Sequence, residues 1–261
     1  MIRSLYTAAT GMVAQQLDQD VVANNLANVN TVGFKKSRAN FQDLMYQIYS
    51  KAGATSSTGI QLPAGIEIGM GVKPISTQKI FTQGDYQQTN NALDWAIEGD
   101  GFFQIDDGNG GTAYTRAGSF KLNKDGNICT SEGLLLTPAI NVPTGTVVIT
   151  VDQSGQVSAT DGTGAITQIG QLQLATFINP AGLTSIGRNL YVKTDASGDE
   201  TVGNPGVDNR GTISQYYLEM SNVNVIDEMV KMIVGQRAYE INSKSIQTAD
   251  NMLSIINNLK R

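Results

Sequence analysis

Apolar residues recur at helical spacing along the first part of the chain. They occupy every third or fourth position, which places them on one face of an amphipathic helix. The face comprises Ile2, Leu5, Ala9, Met12, Leu17, Val21 and Leu26. Asn28, Asn30 and Gly33 follow, and such residues mark the end of a helix and a turn. The pattern predicts an N-terminal helix that ends before Asn28.

The C-terminal part carries the strongest periodic pattern. Asn224 is a suitable N-cap, and the acidic pair after Ile226 favours the positive end of a helix dipole. The spacing is heptad-like, with small and polar residues at several seam positions. The apolar and small members are Met229, Ile233, Ala249, Met252, Ile256 and Leu259. We expect a helix over 224–260.

Two further segments separate the N-terminal helix from the middle of the chain. Phe41, Leu44, Met45 and Ile48 predict a second, short helix. Residues 48–66 then combine glycine, serine, threonine and proline, which is typical of a loop or extended linker. Its marker residues are Ser50, Gly53, Gly59, Gln61 and Pro63.

The middle of the chain has the pattern of β-structure. Runs of valine, isoleucine, threonine and aromatic residues alternate with Asp-Gly and Asn-Gly turn signals, as in 101–115 and 146–155. Short strands at this spacing indicate an antiparallel sandwich or barrel. The fold class is therefore α+β, with terminal amphipathic helices and a central antiparallel all-β domain. We divide the chain into a helical arm at 1–47, a linker at 48–66, a β-domain at 67–220 and a C-terminal helix at 221–261.

Charge and composition exclude several classes of protein. The chain has 261 residues and a formal net charge of -5, which argues against nucleic acid as a main partner. It has no histidine and one cysteine, so Ser-His-Asp triads, histidine metal sites and intramolecular disulfides are excluded. No run of residues reaches the ~20 apolar positions of a membrane span. The interrupted apolar N-terminus is a poor secretory signal.

The remaining candidate motifs for chemistry are weak. Gly99–Gln104 begins like a dinucleotide-binding motif, but it precedes a strand and lacks the last glycine. Asp106–Gly111 fits a hairpin turn better than a calcium loop. Asp94 and Glu98 are more often solvated acids than a glycosidase pair. We therefore expect no catalytic residue, cofactor or metal.

The terminal helices allow two interpretations. They pack on the sheet of their own domain, or they meet each other and neighbouring subunits in an assembly. The narrow apolar stripes, and a C-terminal seam that includes Asn242, Ser245 and Ala249, favour assembly because they bury little area in one chain. Asn24, Asn25 and Asn28 are interpreted as helix-ending residues in preference to groups that bond between subunits.

Both ends of the chain resemble one known family. The segments Ala23–Lys35, Ser221–Val225 and Gln236–Lys244 are similar to the two terminal signatures of the bacterial flagellar rod and hook proteins. The likeness spans nearly the whole chain and is strongest to subunits of the distal rod. It implies a structural, non-enzymatic protein whose terminal helices form a coiled-coil-like inner tube around the export channel, with the β-domain outside.

The resemblance also implies partners and sites. The partners are further copies of the chain, other rod and hook proteins, the surrounding basal-body rings and the flagellar type III export apparatus, with export to the basal body without a cleaved signal peptide. The two apolar stripes and Asn28 would form the assembly interface, and residues 48–66 would stiffen the tube. The alternatives are a proximal rod or hook subunit, and a surface carbohydrate-binding or carbohydrate-active β-domain.

Overall fold

The computed structural model describes residues 2–51, 53, 63–108 and 110–259. These residues divide into two compact units. The helical unit takes in the chain up to Leu26, Ser37–Gln78 and the residues from Asn224 onward. The β-unit takes in Ala27–Lys36 and Lys79–Val223. Terminal helices thus flank a central antiparallel β-fold, as the sequence predicts.

Two long helices and four strands are described in the helical unit. Helix α1 is Ile2–Ala27, and helix α2 is Val225–Leu259. The strands are β1 Ser37–Asp43, β2 Tyr46–Ser50, β3 Ile66–Gly69 and β4 Val72–Lys79. β1 pairs with β4, and β2 pairs with β3. The predicted N-cap is confirmed, since Asn224 Oδ1 accepts the backbone N–H of Ile226 at 3.0 Å.

The predicted short helix over Phe41–Ile48 is wrong. Strand β1 ends at Asp43 and strand β2 begins at Tyr46, so the segment spans two strands. A two-turn apolar pattern does not distinguish a helix from a strand. Here Tyr46, Ile48 and Tyr49 favour the pleated backbone, and the partner strands lie about twenty to forty residues further along the chain.

The β-unit contains sixteen named strands. Their bounds are β5 Tyr86–Gln88, β6 Trp95–Glu98, β7 Phe102–Asp106, β8 Thr112–Thr115, β9 Phe120–Leu122, β10 Ile128–Thr130, β11 Leu136–Thr137, β12 Thr146–Val151, β13 Gln156–Asp161, β14 Ile166–Gln171, β15 Leu174–Thr176, β16 Thr184–Gly187, β17 Leu190–Val192, β18 Thr201–Gly203, β19 Thr212–Gln215 and β20 Tyr217–Glu219. A single 3₁₀ turn, Pro180–Gly182, is described between β15 and β16.

The largest sheet has seven strands, in the order β16-β17-β8-β7-β15-β18, with β11 also paired to β7. Strands β12-β13-β14 form a second sheet, and β6-β19, β5-β20 and β9-β10 are two-stranded. The described pairings of known register are antiparallel. The predicted turn after Val151 is confirmed, because Gly155 donates its N–H to Asp152 O at 2.8 Å.

Aromatic residues fill the interior of the β-unit. Trp95 and Phe103 are fully buried and both contact Phe120, with ring centroids 5.1 and 5.2 Å apart. A second cluster packs Phe102 and Tyr191 around the ring of Phe81. Phe102 and Phe103 are adjacent in β7 and belong to different clusters, so this strand is buried on both faces.

Candidate assembly interface

Helices α1 and α2 run antiparallel and approach closely at two glycines. A methyl group built on Gly11 would lie 3.0 Å from Asn242 Nδ2, and one on Gly235 would lie 3.4 Å from Gln19 Cγ. The end of α1 therefore lies beside the beginning of α2. Small residues at these positions let two helix backbones pack closely.

Asn25 is the polar centre of this helix pair. Its side chain is buried, and Nδ2 donates to Ser37 O at 2.8 Å and to Glu228 Oε2 at 3.1 Å. Its Oδ1 accepts the N–H of Ser37 at 2.9 Å. Glu228 is also buried, and it accepts Lys231 Nζ at 2.6 Å. One amide thereby joins the end of α1, the start of β1 and the first turn of α2.

The asparagine interpretation is corrected at this residue. Asn25 neither ends the helix with its side chain nor points to solvent, because its three hydrogen bonds lie within the helical unit. Asn28 does take a local role, since its Oδ1 accepts Thr31 Oγ1 at 3.1 Å. No local sequence pattern indicates the Asn25–Glu228 contact, which joins residues more than two hundred positions apart.

A carboxylate next to this contact has a perturbed pKa. Burial raises the pKa of Asp18; the charge of Lys231 opposes this rise and that of Glu228 adds to it. The polar end of the helix pair thus holds two carboxylates and one lysine. The charge interactions at this end of the helix pair therefore depend on whether Asp18 is protonated.

Most of the predicted N-terminal interface residues are half-buried. Ile2 is 66% exposed. The intermediate positions are Leu5, Ala9, Met12, Leu17, Val21, Leu26 and Asn28. The fully buried positions of α1 are instead Ala8, Ala14, Val22 and Asn25. The half-buried residues keep apolar surface available for further contacts.

The predicted C-terminal residues divide into two groups. Ala249 is buried. Met229, Ile233, Met252 and Ile256 are between 47% and 56% exposed. The side chain of Leu259 lies outside the described residues. Among the described side chains of α2, the buried positions are Glu228, Gly235 and Ala249; apolar periodicity predicts only Ala249, since the other two are not apolar.

The exposed residues form a stripe along α2. We name it the outer stripe, and its members are Ile226, Met229, Val230, Ile233, Val234, Ile241, Met252, Ile255 and Ile256. Each of these side chains is at least 47% exposed. Large apolar side chains exposed in this number along a helix favour a protein–protein contact.

The β2–β3 pair carries a second exposed apolar surface. The exposed apolar side chains of this pair are Tyr46, Ile48, Tyr49, Ile66 and Ile68. Met45, which directly precedes β2, is exposed as well. Arg3 of α1 lies over the ring of Tyr49, 5.2 Å from its centroid, and donates to its hydroxyl. An isolated two-stranded pair is marginally stable in water, so this one depends on further contacts.

The predicted stiffening segment is only partly described. Ser50 is half-buried at the end of β2, Gly53 has a φ of 79°, and Pro63 is exposed. Gly59 and Gln61 lie outside the described residues. Among the described side chains, no group of three acidic or cysteine residues could hold a metal ion. Neither described helix is long and apolar enough to cross a membrane.

Comparison with known proteins identifies the family. Three family models match: "Flagella basal body rod protein" at residues 5–35, "Flagellar hook protein FlgE/F/G D1 domain" at 96–159 and "Flagellar basal body rod FlgEFG protein C-terminal" at 214–259. The chain is 50% identical to the flagellar basal-body rod protein FlgG of Borreliella burgdorferi, over the full length of both chains. The chain belongs to the flagellar basal-body rod protein family.

Other flagellar rod proteins show the same likeness. FlgG of Buchnera aphidicola subsp. Schizaphis graminum is 48% identical over 99% of this chain and its own full length, and FlgG of Bacillus subtilis is 41% identical over both full lengths. The matched models at 5–35 and 214–259 cover nearly all of α1 and all of α2. The helices that carry the exposed apolar residues are therefore the parts that the rod family models describe.

Proposed function

We propose that this chain is the structural subunit of the distal rod of the bacterial flagellum. Copies polymerise through their terminal helices into a straight, rigid helical tube that transmits torque to the hook and houses the export channel. Full-length similarity to FlgG proteins supports this role. The role requires no catalysis, which agrees with a chain that has no histidine.

The outer stripe of α2 is the observation on which the polymerisation proposal rests. A folded chain that leaves nine large apolar side chains about half exposed along one helix loses stabilisation that a second copy restores by covering them. Repeated contacts between different faces of identical chains produce an open helical filament unless the rotation closes a ring. The outer stripe of one copy, placed against α1 or α2 of the next, gives such a contact.

The half-buried stripe of α1 takes part in the same contact. Leu5, Met12 and Leu17 each keep some apolar surface that α2 of their own chain does not cover. We assign Ile2, Leu5, Ala9, Met12, Leu17, Val21, Leu26 and Asn28 to the assembly interface, together with Met229, Ile233, Ala249, Met252, Ile256 and Leu259. Ala249 contributes through the pairing of α1 with α2 in one chain.

Further partners and the location follow from the rod role. Rod and hook proteins adjoin the ends of the tube, basal-body ring proteins surround it, and the flagellar type III apparatus exports the subunit without a cleaved signal peptide. The segment with Ser50, Gly53, Gly59, Gln61 and Pro63 docks on neighbouring subunits and stiffens the tube. The exposed residues of the adjacent β2–β3 pair supply apolar surface for that docking.

Negative-stain electron microscopy of the purified protein at increasing concentration tests the proposal. Straight tubes of uniform diameter are expected above a threshold concentration. Curved tubes would instead favour a hook subunit. Isolated particles at every concentration, under conditions where the β-unit is folded, would contradict polymerisation through the helices.

A further inference from the structure

A fully buried carboxylate lies in the β-unit, close in sequence to a point where the chain leaves that unit. Glu219 ends strand β20 and has no solvent exposure. Its Oε1 accepts Lys35 Nζ at 2.5 Å and the N–H of Gly84 at 3.0 Å, and its Oε2 accepts Arg116 Nη1 at 3.4 Å. We name Lys35, Arg116 and Glu219 the junction cluster.

The cluster joins the two segments that leave the β-unit. One is residues 33–36, which lead to Ser37 of the helical unit, and the other is residues 219–222, which lead to Asn224. Gly33 donates its N–H to the backbone oxygen of Glu219 at 2.8 Å. Lys36 donates its N–H to Asn222 Oδ1 at 2.8 Å.

Both segments also form hydrogen bonds with a third segment, residues 80–84. Lys35 Nζ donates to Thr82 O at 2.7 Å. Asn222 Nδ2 donates to the same oxygen at 3.1 Å and to Ile80 O at 2.9 Å. The polar groups of both segments therefore converge on residues 80–84.

The charges of the cluster do not balance. Two buried cations face one buried carboxylate, and Nε of Arg116 has no hydrogen-bond partner among the residues that the structure describes. Burial lowers the pKa of Lys35, against the opposing charge of Glu219 and with a smaller contribution from Arg116. Removing three charges from water is costly, and apolar residues of similar volume often give equal or greater stability.

The charged groups restrict the conformation of residues 33–36. A lysine ammonium that moves away from Glu219 and Thr82 O would remain buried without a partner, so other arrangements of residues 33–36 are penalised. An apolar side chain of the same length would tolerate many of them. Buried polar groups that select one register among several are the best-attested use of such contacts.

We propose that Lys35 is a positioning residue: through Glu219 it holds residues 33–36 in a single arrangement against residues 219–222, and it does so without adding to the stability of the β-unit. Glu219 is the hub of this arrangement, and Arg116 supplies its second counter-charge. The inference goes beyond the proposed function, because it concerns the single chain before any assembly.

Residue-resolved amide hydrogen exchange of the monomer, together with thermal unfolding, tests the proposal on Lys35→Met. Met keeps the length and the apolar stem, and Glu219 retains Arg116 and the N–H of Gly84. We expect at least tenfold faster exchange at the amides of Gly33 and Lys36, unchanged exchange in β7 and β8, and an unfolding midpoint equal to or above that of the natural chain. Lys193→Met is the matched control, since it removes an exposed ion pair with Glu200 and should change neither measurement.

Two outcomes would overturn the proposal. If the amides of Gly33 and Lys36 exchanged in Lys35→Met at the same rates as in the natural chain, packing alone would fix the segment. A lower midpoint with faster exchange throughout the β-unit would mean that Lys35 serves stability. Glu219→Gln provides a second variant that leaves two cations unpaired, and there we expect both a lower midpoint and faster exchange at the same two amides. Since all measurements use the monomer, their result is independent of whether the chain polymerises.

Discussion

A single amide shows how much structure one residue can organise in this chain. Asn25 offers one acceptor and two donor hydrogens, and it uses them on the N–H and C=O of Ser37 and on the carboxylate of Glu228. An aspartate at the same position has no donor when ionised and would face Glu228 with a like charge. An apolar residue would leave the polar groups of Ser37 without this partner.

We expect Asn25→Asp to destabilise the helical unit by about 2–4 kcal/mol, because it leaves a buried unpaired charge and removes two donated hydrogen bonds. Urea unfolding followed by helical circular dichroism measures the change. Asn30→Asp makes the same substitution at an exposed position and should stay within about 0.5 kcal/mol of the natural chain. Equal free energies of unfolding for the two variants would show that Asn25 is dispensable.

Buried tyrosines give the β-unit a distinct response to alkali. Burial raises the pKa of both Tyr114 and Tyr191 to about 12. The pKa of tyrosine in an unfolded chain is near 10, so their contribution to stability is complete below about pH 10 and is lost as the pH rises through about 12. Tyrosinate absorbance should therefore show late titration that Tyr191→Phe reduces. If every tyrosine titrated near pH 10 in the folded protein, the packing around these rings would be looser than described.

At the level of elements, sequence patterns predicted the helices, caps and turns that depend on neighbouring residues. Both long helices, the N-cap at Asn224 and the hairpin turns of the β-unit follow from short-range patterns, and the structure confirms them. The face along which α1 and α2 pair was predicted only in part. The predicted seam included Asn242, which lies against Gly11, but not Gly235 or Glu228, which a hydrophobicity pattern does not register.

The same limit explains the wrong helix over Phe41–Ile48. The strands β1 and β2 exist because β4 and β3 pair with them, and sequence spacing alone cannot supply a partner from a distant segment. The junction cluster has the same origin, because Lys35 and Glu219 are 184 positions apart. Local patterns thus found the elements, and long-range polar contacts decided how they join.

Met252 on the outer stripe provides the test of the assembly surface at the level of one helix. Met252→Asp leaves the monomer almost unchanged, since the side chain is already 47% exposed. Covered by a second copy, the carboxylate would cost at least about 3 kcal/mol, which is a factor of roughly 100 or more in the association constant. We expect no tubes at concentrations where the natural chain forms them, by sedimentation and electron microscopy.

A nearby exposed residue is the control for that experiment. Ser254→Asp introduces the same charge two positions later, about 200° around the helix and so on the opposite side from Met252. Tubes should form with this variant and not with Met252→Asp. Tubes of normal appearance from Met252→Asp would remove Met252 from the interface, whereas the loss of tubes in both variants would show sensitivity to charge anywhere on α2.

For the whole molecule, the arrangement of the chain matters more than any one contact. The helical unit is assembled from three separate stretches of sequence, and the β-unit is inserted between them. Of these stretches, Ser37–Gln78 carries the β2–β3 pair, whose apolar side chains stay exposed. A polymer of such chains can use the helices to form a tube and a separate segment to limit bending.

Deleting residues 52–61 tests this division of roles. The deletion keeps β2, β3 and both helices, so the helix contacts that form the tube remain available. A tube bends when subunits slide past one another, and a segment docked on neighbouring subunits resists that sliding. We therefore expect polymers that still form but curve, measured as a shorter persistence length in electron micrographs. Replacing the same ten residues with a glycine–serine chain of equal length separates lost contacts from lost length, because it keeps the span while removing the side chains. Straight polymers from both variants would show that the tube is stiff without this segment, and stiffness would then have to come from the helices or the β-units.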